Sequence, residues 1–275
     1  MKHTISFLLT LAILNIMLVS CDKQDKEPPE LPPYESMTID FSNFLHNDKG
    51  APDLKSASDI SMANYDFAAL NVGVFNLFLG LVLAIPTSAF WHSFSADPVF
   101  LGDATWEWTK EYTKFAASYT CRLTGQVRAN DVKWEMYISK AGVEGFDEFK
   151  WYEGTSDLDG NGGQWILNYD NEHPFPVLQI DWERDGEEIG VITFTNVMEE
   201  TLAGESNDGY GSYIEAGKIV GDLDGYYNIY MADTGYDVDI EWSTTEYNGR
   251  VMCPNWFQDS DWHCWDDNGY DIVCE

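Results

Sequence analysis

The sequence predicts a mainly β protein, an antiparallel up-and-down meander of about a dozen strands wrapped around one N-terminal apolar α-helix. Three observations lead to this prediction: apolar and charged residues alternate along several segments after about residue 105, Asp-Gly and Asn-Gly pairs separate those segments, and one long segment before them carries no charge. The expected form is an open barrel or a strongly curved sheet. A two-sheet β-sandwich is the alternative.

The first 20 residues predict a signal peptide. Lys2 gives a positive start, and the apolar run from Ile5 to Val19 is too short and wrongly flanked for a spanning helix. The run ends in Leu18-Val19-Ser20-Cys21, which resembles the lipobox of bacterial lipoproteins. That resemblance implies that Cys21 becomes the first mature residue and carries the lipid. Several acyl chains together anchor a protein stably to a membrane.

Residues 21–36 are expected to form a charged, Pro-rich and therefore extended tether behind the lipidated Cys21. Acidic residues follow the cysteine, beginning with Asp22, and the body is similar in style to uncharacterised Bacteroidetes-type surface lipoproteins. This resemblance implies an outer-membrane lipoprotein exposed at the cell surface. A periplasm-facing or inner-membrane location is the alternative, because Asp after the cysteine also resembles an inner-membrane retention signal.

The charge-free segment runs from Phe67 to Ala96. A helix that is apolar on nearly every side either spans a membrane or is enclosed by protein. The sequence favours enclosure, because Asn and Gly residues interrupt the run and a soluble-looking β body follows. We therefore expect a buried helix near residues 64–85, stopped by Pro86, which cannot continue a helix.

Residues 37–275 are predicted to form a single β-rich domain around that helix. Trp134, Met136 and Ile138 alternate with polar neighbours, as do the apolar residues of segments 178–184 and 238–243. Such alternation is typical of half-buried strands. The Gly residues of the intervening pairs supply the positive φ of tight hairpins. These pairs are Asp159-Gly160, Asp185-Gly186, Asp224-Gly225, Asn248-Gly249 and Asn268-Gly269.

The charge balance limits the partners. The chain has 47 acidic and 15 basic residues, for a net charge of −32. Nucleic-acid binding requires a basic face, and electrostatic docking on anionic lipid requires clustered Lys and Arg. We therefore expect no nucleic-acid partner, and membrane contact through the lipid anchor only. A solvated acidic surface, a divalent cation or a cationic protein partner agrees with the sign of the charge.

Four cysteines beyond Cys21 predict two disulfides in an exported protein. A turn at Gln258-Asp259 would place Cys253 opposite Cys264 in a hairpin. The expected pairs are therefore Cys253 with Cys264 and Cys121 with Cys274. A zinc site is the competing interpretation, but the spacing lacks any Cys-x-x-Cys pair.

A candidate calcium site lies at Asp157, Asp159 and Asn161, which resemble the first half of an EF-hand loop. The match fails at its twelfth position, where Asn168 stands in place of the bidentate Glu. A polar hairpin turn is the alternative interpretation. Beyond this weak calcium candidate, no cofactor is expected.

Trp256, Trp262 and Trp265 are candidates for stacking against a ligand, because Asp residues surround them. Packing in the core is the alternative. The function that we expect is a non-enzymatic binding or surface-interaction module for a glycan, cation or protein. A hydrophobic-ligand carrier, with the apolar helix as plug or lid, and a glycan hydrolase are the alternatives. No catalytic residue is predicted from the sequence.

Overall fold

A computed structural model describes residues 27–42, 44–45 and 61–274. Two helices, α1 (Ala63–Val82) and α2 (Ala84–Ser93), precede the sheet, and a short helix, α3 (Pro254–Phe257), lies near its end. The described residues form fourteen strands: β1 (Val99–Gly102), β2 (Thr105–Lys114), β3 (Ala117–Val127), β4 (Asp131–Lys140), β5 (Phe146–Asp157), β6 (Gly162–Asn168), β7 (Pro176–Asp185), β8 (Glu188–Asn196), β9 (Tyr213–Lys218), β10 (Gly225–Met231), β11 (Tyr236–Trp242), β12 (Gly249–Met252), β13 (His263–Trp265) and β14 (Asp271–Ile272).

All fourteen strands belong to one antiparallel sheet, in which each strand pairs with its neighbours in sequence. The sheet is open, because the order runs from β1 to β14 without closing. The predicted up-and-down meander is therefore confirmed, and the two-sheet sandwich is not formed. The alternation works as expected: in β4, Trp134, Met136 and Ile138 are fully buried, and the residues between them are only partly buried.

Glycine and tryptophan face each other repeatedly on the buried side of the sheet. At each of these positions a Cβ on the glycine would lie within 3.0 Å of the indole ring of the opposite tryptophan. Such pairs fill the space that glycine leaves and let a sheet bend. The cross-strand pairs are Gly125 with Trp134, Gly154 with Trp165, Gly163 with Trp182, Gly225 with Trp242 and Gly249 with Trp265.

The hairpins predicted at Asp224-Gly225 and Asn248-Gly249 form, but the turn role predicted for their glycines is wrong. Gly225 and Gly249 begin strands β10 and β12, and neither has a positive φ. Their role is the close approach of a tryptophan. The turn prediction agrees with the structure at Gly160, Gly186 and Gly269, whose φ values are 68°, 66° and 83°.

The N-terminal segment and α2 occupy the inside of the sheet. Helix α2 packs on β2 and β3, and its Phe90 also contacts Trp165 of β6 at a ring-centroid distance of 5.5 Å. In a flat sheet β3 and β6 would lie three strand spacings, about 14 Å, apart. A helix about 10 Å wide contacts both strands only where the sheet curves. A 3₁₀ turn at Tyr34–Met37 lies over β7 and β8, where Ser36 accepts a hydrogen bond from Trp165 Nε1 at 3.1 Å.

The prediction of a buried helix near 64–85 is wrong in two respects. The helix ends at Val82, and Pro86 lies in the first turn of α2, where a missing N–H costs little. Helix α1 packs on β12, β13 and β14, but only 22% of its most apolar 18-residue window is buried. The sheet thus encloses residues 34–42 and 44–45 together with α2, and α1 covers only its C-terminal edge.

The predicted disulfide pairing is also wrong. The bridge joins Cys264 to Cys274, whose Cα atoms are 5.3 Å apart. The expected hairpin fails because α3 occupies the connection between β12 and β13, so that His263 pairs with Val251. Cys121 and Cys253 are free and buried.

The tether is shorter than expected. The signal peptide and Cys21 lie outside the described residues. From Leu31 onward the chain packs against the core, with Pro32 buried and Leu31 and Tyr34 partly buried. Residues 31–36 therefore belong to the folded body.

Candidate functional site

A cleft of about 310 Å³ opens between the N-terminal segment and one end of strands β8–β11. One wall is formed by residues 35–40, which the 3₁₀ turn holds against β7 and β8. The opposite wall is formed by the first residues of β8 and β10 and the last residues of β9 and β11. The side chains that give this cleft its chemistry are Glu35, Asp40, Lys218, Tyr226, Tyr227, Trp242 and Thr244.

Trp242 is 5% exposed, and its indole Nε1 has no hydrogen-bond partner among the described residues. The nitrogen lies over Gly225, where an added Cβ would approach it to 2.9 Å. Aromatic rings hold the indole in place: Tyr227 stacks on it at 6.2 Å and Phe44 meets it edge-on at 5.2 Å. A buried donor without a partner costs about 1–3 kcal/mol, a cost that an acceptor reaching this nitrogen would remove.

Tyr227 stacks on this indole, and its neighbour Tyr226 faces the other side of β10. Both tyrosines keep their protons at neutral pH. Burial raises the pKa of Tyr226 to about 12, and a hydrogen bond from its hydroxyl to Glu215, 3.0 Å long, adds to the effect. Burial and, second, the charge of Asp40 raise the pKa of Tyr227 above its ordinary value of 10.0. Both groups are therefore neutral phenols, and the hydroxyl hydrogen of Tyr226 is already donated to Glu215.

The rim of the cleft is fixed by hydrogen bonds between neighbouring loops. Asp224 accepts one bond from Thr244 N at 2.7 Å and a second from Thr244 Oγ1 at 2.8 Å. The backbone bond is the main reason that the pKa of Asp224 lies below its ordinary value. Lys218 forms an ion pair with Glu188 on the same side. The Asp224–Thr244 bonds link the ends of β10 and β11, and the Lys218–Glu188 pair links the ends of β9 and β8.

A second polar surface covers the outside of β7–β11. Successive cross-strand neighbours form one row in which Asp181, Thr193, Glu215, Asn228 and Asp239 follow each other. Burial, followed by the charges of nearby carboxylates, raises the pKa of Asp239 above its ordinary value. The row accounts for part of the large negative charge of the C-terminal half.

The three predicted stacking tryptophans do not form one surface. Trp265 is 1% exposed and donates its Nε1 hydrogen to the carbonyl of Tyr247 at 3.0 Å, so it belongs to the core. Trp262 is half-buried beneath the guanidinium of Arg250, 4.4 Å from the ring centroid. Trp256 is 57% exposed and stacks on Phe67 of α1. The stacking hypothesis is therefore wrong for Trp265.

The predicted calcium residues lie at the β5–β6 hairpin, with Asp157 ending β5. All three side chains are exposed, and the turn is held by backbone bonds, including one from Gly160 N to the carbonyl of Asp157 at 3.1 Å. Within the described ranges, no group of three or more His, Cys, Asp or Glu side chains is arranged to hold a metal ion. The geometry is that of the polar hairpin, and calcium binding stays a prediction.

The residues of the cleft were not predicted as a site from the sequence. The alternation in segment 238–243 indicated that Trp242 faces inward. Nothing in the spacing, however, indicated that residues 35–40 lie opposite a tryptophan about two hundred positions away. The Asp224-Gly225 pair was the nearest signal, because it marks the point where the backbone approaches the indole.

Comparisons with known proteins give no match: no family model, no curated protein and no solved structure matches the chain.

Proposed function

We propose that this chain is an exported, lipid-anchored, non-enzymatic binding protein that takes a saccharide in the cleft between residues 35–40 and β8–β11. The observation that carries the proposal is the indole N–H of Trp242, which has no hydrogen-bond partner among the described residues. It is buried in the wall of a cleft that Glu35, Asp40 and Tyr227 also line.

The chemistry of the cleft favours a ligand with many hydroxyl groups. A hydroxyl oxygen accepts the hydrogen of an indole, and its own hydrogen is donated to a carboxylate such as Glu35 or Asp40. Ile39 and Ile189, which line the cleft and are only partly buried, provide apolar surface for the C–H face of a sugar. Binding sites for small ligands are typically apolar clefts with a few polar groups that fix orientation.

The proposed location agrees with this chemistry. The lipobox at Leu18–Cys21 supports attachment at an outer membrane, where glycans are accessible to a surface-exposed binding protein. The acidic surface disfavours polyanionic ligands, because like charges repel. We therefore expect neutral oligosaccharides rather than acidic ones.

The test is isothermal titration calorimetry with a panel of neutral hexasaccharides of gluco, manno, xylo and galacto configuration. We expect one of them to bind, and Trp242→Phe to weaken that binding about tenfold, the equivalent of one hydrogen bond of about 1.4 kcal/mol. Phe keeps most of the ring and removes the N–H.

Trp182→Phe is the matched control, because the indole N–H of Trp182 is also buried and unpaired within the described residues, but Trp182 does not line this cleft. We expect its affinity to equal that of the parent protein. Equal losses in both variants would indicate a general packing defect and refute the assignment. The absence of binding to the whole panel would refute the saccharide.

A hydrophobic-ligand carrier is the second candidate, because Ile39, Ile189 and Ile192 also line the cleft. Displacement of a fluorescent fatty acid from the parent protein separates the two candidates. If unlabelled fatty acid displaces the fluorescent one and no saccharide binds in the titrations, the carrier is favoured.

A further inference from the structure

We infer that the exposed side of α1 docks on the bilayer that holds the lipid anchor. The surface, called here the α1 stripe, consists of Leu70, Val74, Leu77 and Leu81. The inference goes beyond saccharide binding and rests on the proposed lipidation of Cys21.

The α1 stripe is continuous and exposed. Its residues are spaced by four, three and four positions, which places them on one side of a helix. Their exposed fractions are 68%, 55%, 68% and 74%. Exposed apolar patches of this kind mark sites of interaction with a protein or a membrane.

The other side of α1 is fixed to the protein. Phe67, Val72 and Leu79 are buried, and the helix packs on β12, β13 and β14. The helix is long and apolar enough to cross a membrane by length and composition, but a helix attached to the sheet along one side lies on a bilayer rather than through it. Interfacial helices bury their apolar side about 5–10 Å into the headgroup region.

The described chain begins next to α2, which follows α1 directly. Pro29, Leu31 and Phe94 line one small cavity, and Tyr34 contacts the ring of Trp91 at 5.1 Å. The eight residues from Cys21 to Pro29 span at most about 26–29 Å. The proposed lipid therefore lies within about 30 Å of the C-terminal end of α2, where Trp91 and Phe94 are exposed as well.

The charge distribution favours a bilayer over a charged partner. Segment 67–96 contains no Asp, Glu, Lys or Arg, in a chain with a net charge of −32. Residues 151–275 hold 28 acidic and three basic residues, so that half of the body is repelled by an anionic surface. The α1 stripe approaches lipid without that repulsion, and a zwitterionic membrane is the expected partner.

The test uses the full-length lipidated chain with Leu77→Cys, labelled with an environment-sensitive fluorophore. Labelling is selective because Cys121 and Cys253 are buried and Cys264 and Cys274 are bridged. In phosphatidylcholine vesicles we expect a blue shift of the emission. Vesicles with brominated acyl chains are expected to quench most of it.

The control is Val143→Cys with the same label, because Val143 is 88% exposed in the loop between β4 and β5, far from α1 in strand order. We expect its emission to stay unquenched. Equal quenching of the two labels, or none at position 77, would overturn the inference. A blue shift in lipid-free detergent that grows with protein concentration would assign the stripe to a second copy and overturn it too.

The intact mass of the purified chain separates this inference from the proposed function. A mass without acyl chains refutes the anchor. The stripe is then tested on the unacylated chain with Cys21→Ser, which keeps the label at position 77 alone. Bromine quenching at that position supports the inference, and a lack of quenching overturns it. Saccharide titrations are independent of either result.

Discussion

At the scale of single residues, the outer surface of β9–β11 concentrates carboxylates. Asp239 is partly buried in the middle of this surface. Burial, then the charges of Asp237 and Glu241, raises its pKa above the ordinary value. The folded protein therefore binds this proton more tightly than the unfolded chain does, and the ionised carboxylate lowers the free energy of unfolding at neutral pH.

We expect Asp239→Asn to raise Tm at pH 7, by roughly 1–3 °C for a domain of this size. The gain is expected to disappear as the pH falls through the raised pKa towards the ordinary value for Asp, because the parent residue then becomes neutral as well. Thermal unfolding followed by circular dichroism between pH 7 and pH 4 measures both effects.

Asp233→Asn is the control, because Asp233 is exposed in the loop between β10 and β11 and gives the same change in net charge. We expect little change in its Tm. A lower Tm for the Asp239→Asn variant at pH 7 would contradict the interpretation of this surface.

At the scale of elements, glycine–tryptophan pairs link strands along much of the sheet. Gly163 shows the constraint most clearly, because a Cβ there would lie 2.4 Å from the carbonyl oxygen of Thr155 and 2.8 Å from the ring of Trp182. Neither the backbone of β5 nor a buried indole moves without cost. The pairs thus let the sheet curve, and their tryptophan rings fill the core at the same positions.

We expect Gly163→Ala to lower the free energy of unfolding by about 1–3 kcal/mol, the usual cost of overpacking. Urea denaturation followed by tryptophan fluorescence measures the change. The fold class is not expected to change, because a single pair is disturbed.

Gly73→Ala on α1 is the opposite case. An added Cβ at Gly73 meets no atom within 4 Å, and the residue lies inside a helix. We expect stabilisation by about 0.5–1 kcal/mol, because Ala loses less conformational entropy in a helix. Similar effects of the two substitutions would show that the close contacts at Gly163 do not determine the outcome.

The elements also show what the sequence predicts and what it leaves open. Alternation identified β4, β7 and β11, because a strand with one buried side has a period of two whatever it packs against. The same pattern does not reveal which residue lies opposite. The Asn248-Gly249 pair was therefore interpreted as a turn, whereas Gly249 begins β12 and contacts Trp265.

At the scale of the whole molecule, the sequence predicts the open antiparallel sheet but not which segments of the chain the sheet encloses. Helix α1 is apolar on nearly every side, so enclosure was the natural expectation. Apolar character shows that a surface avoids water, not which partner covers it. The enclosed segments are residues 34–42, 44–45 and α2. The candidate cleft lies where residues 35–40 meet β8–β11.

The most direct test of saccharide binding follows the indole N–H signals in a ¹H–¹⁵N spectrum while the neutral hexasaccharides are added. The Trp242 signal, assigned by its loss in Trp242→Phe, is expected to move as its hydrogen gains an acceptor. The signal of Trp134 is expected to stay in place, because its Nε1 already donates to Ser156 at 2.9 Å. A Trp242 signal that does not move with any of the sugars would contradict the proposed site.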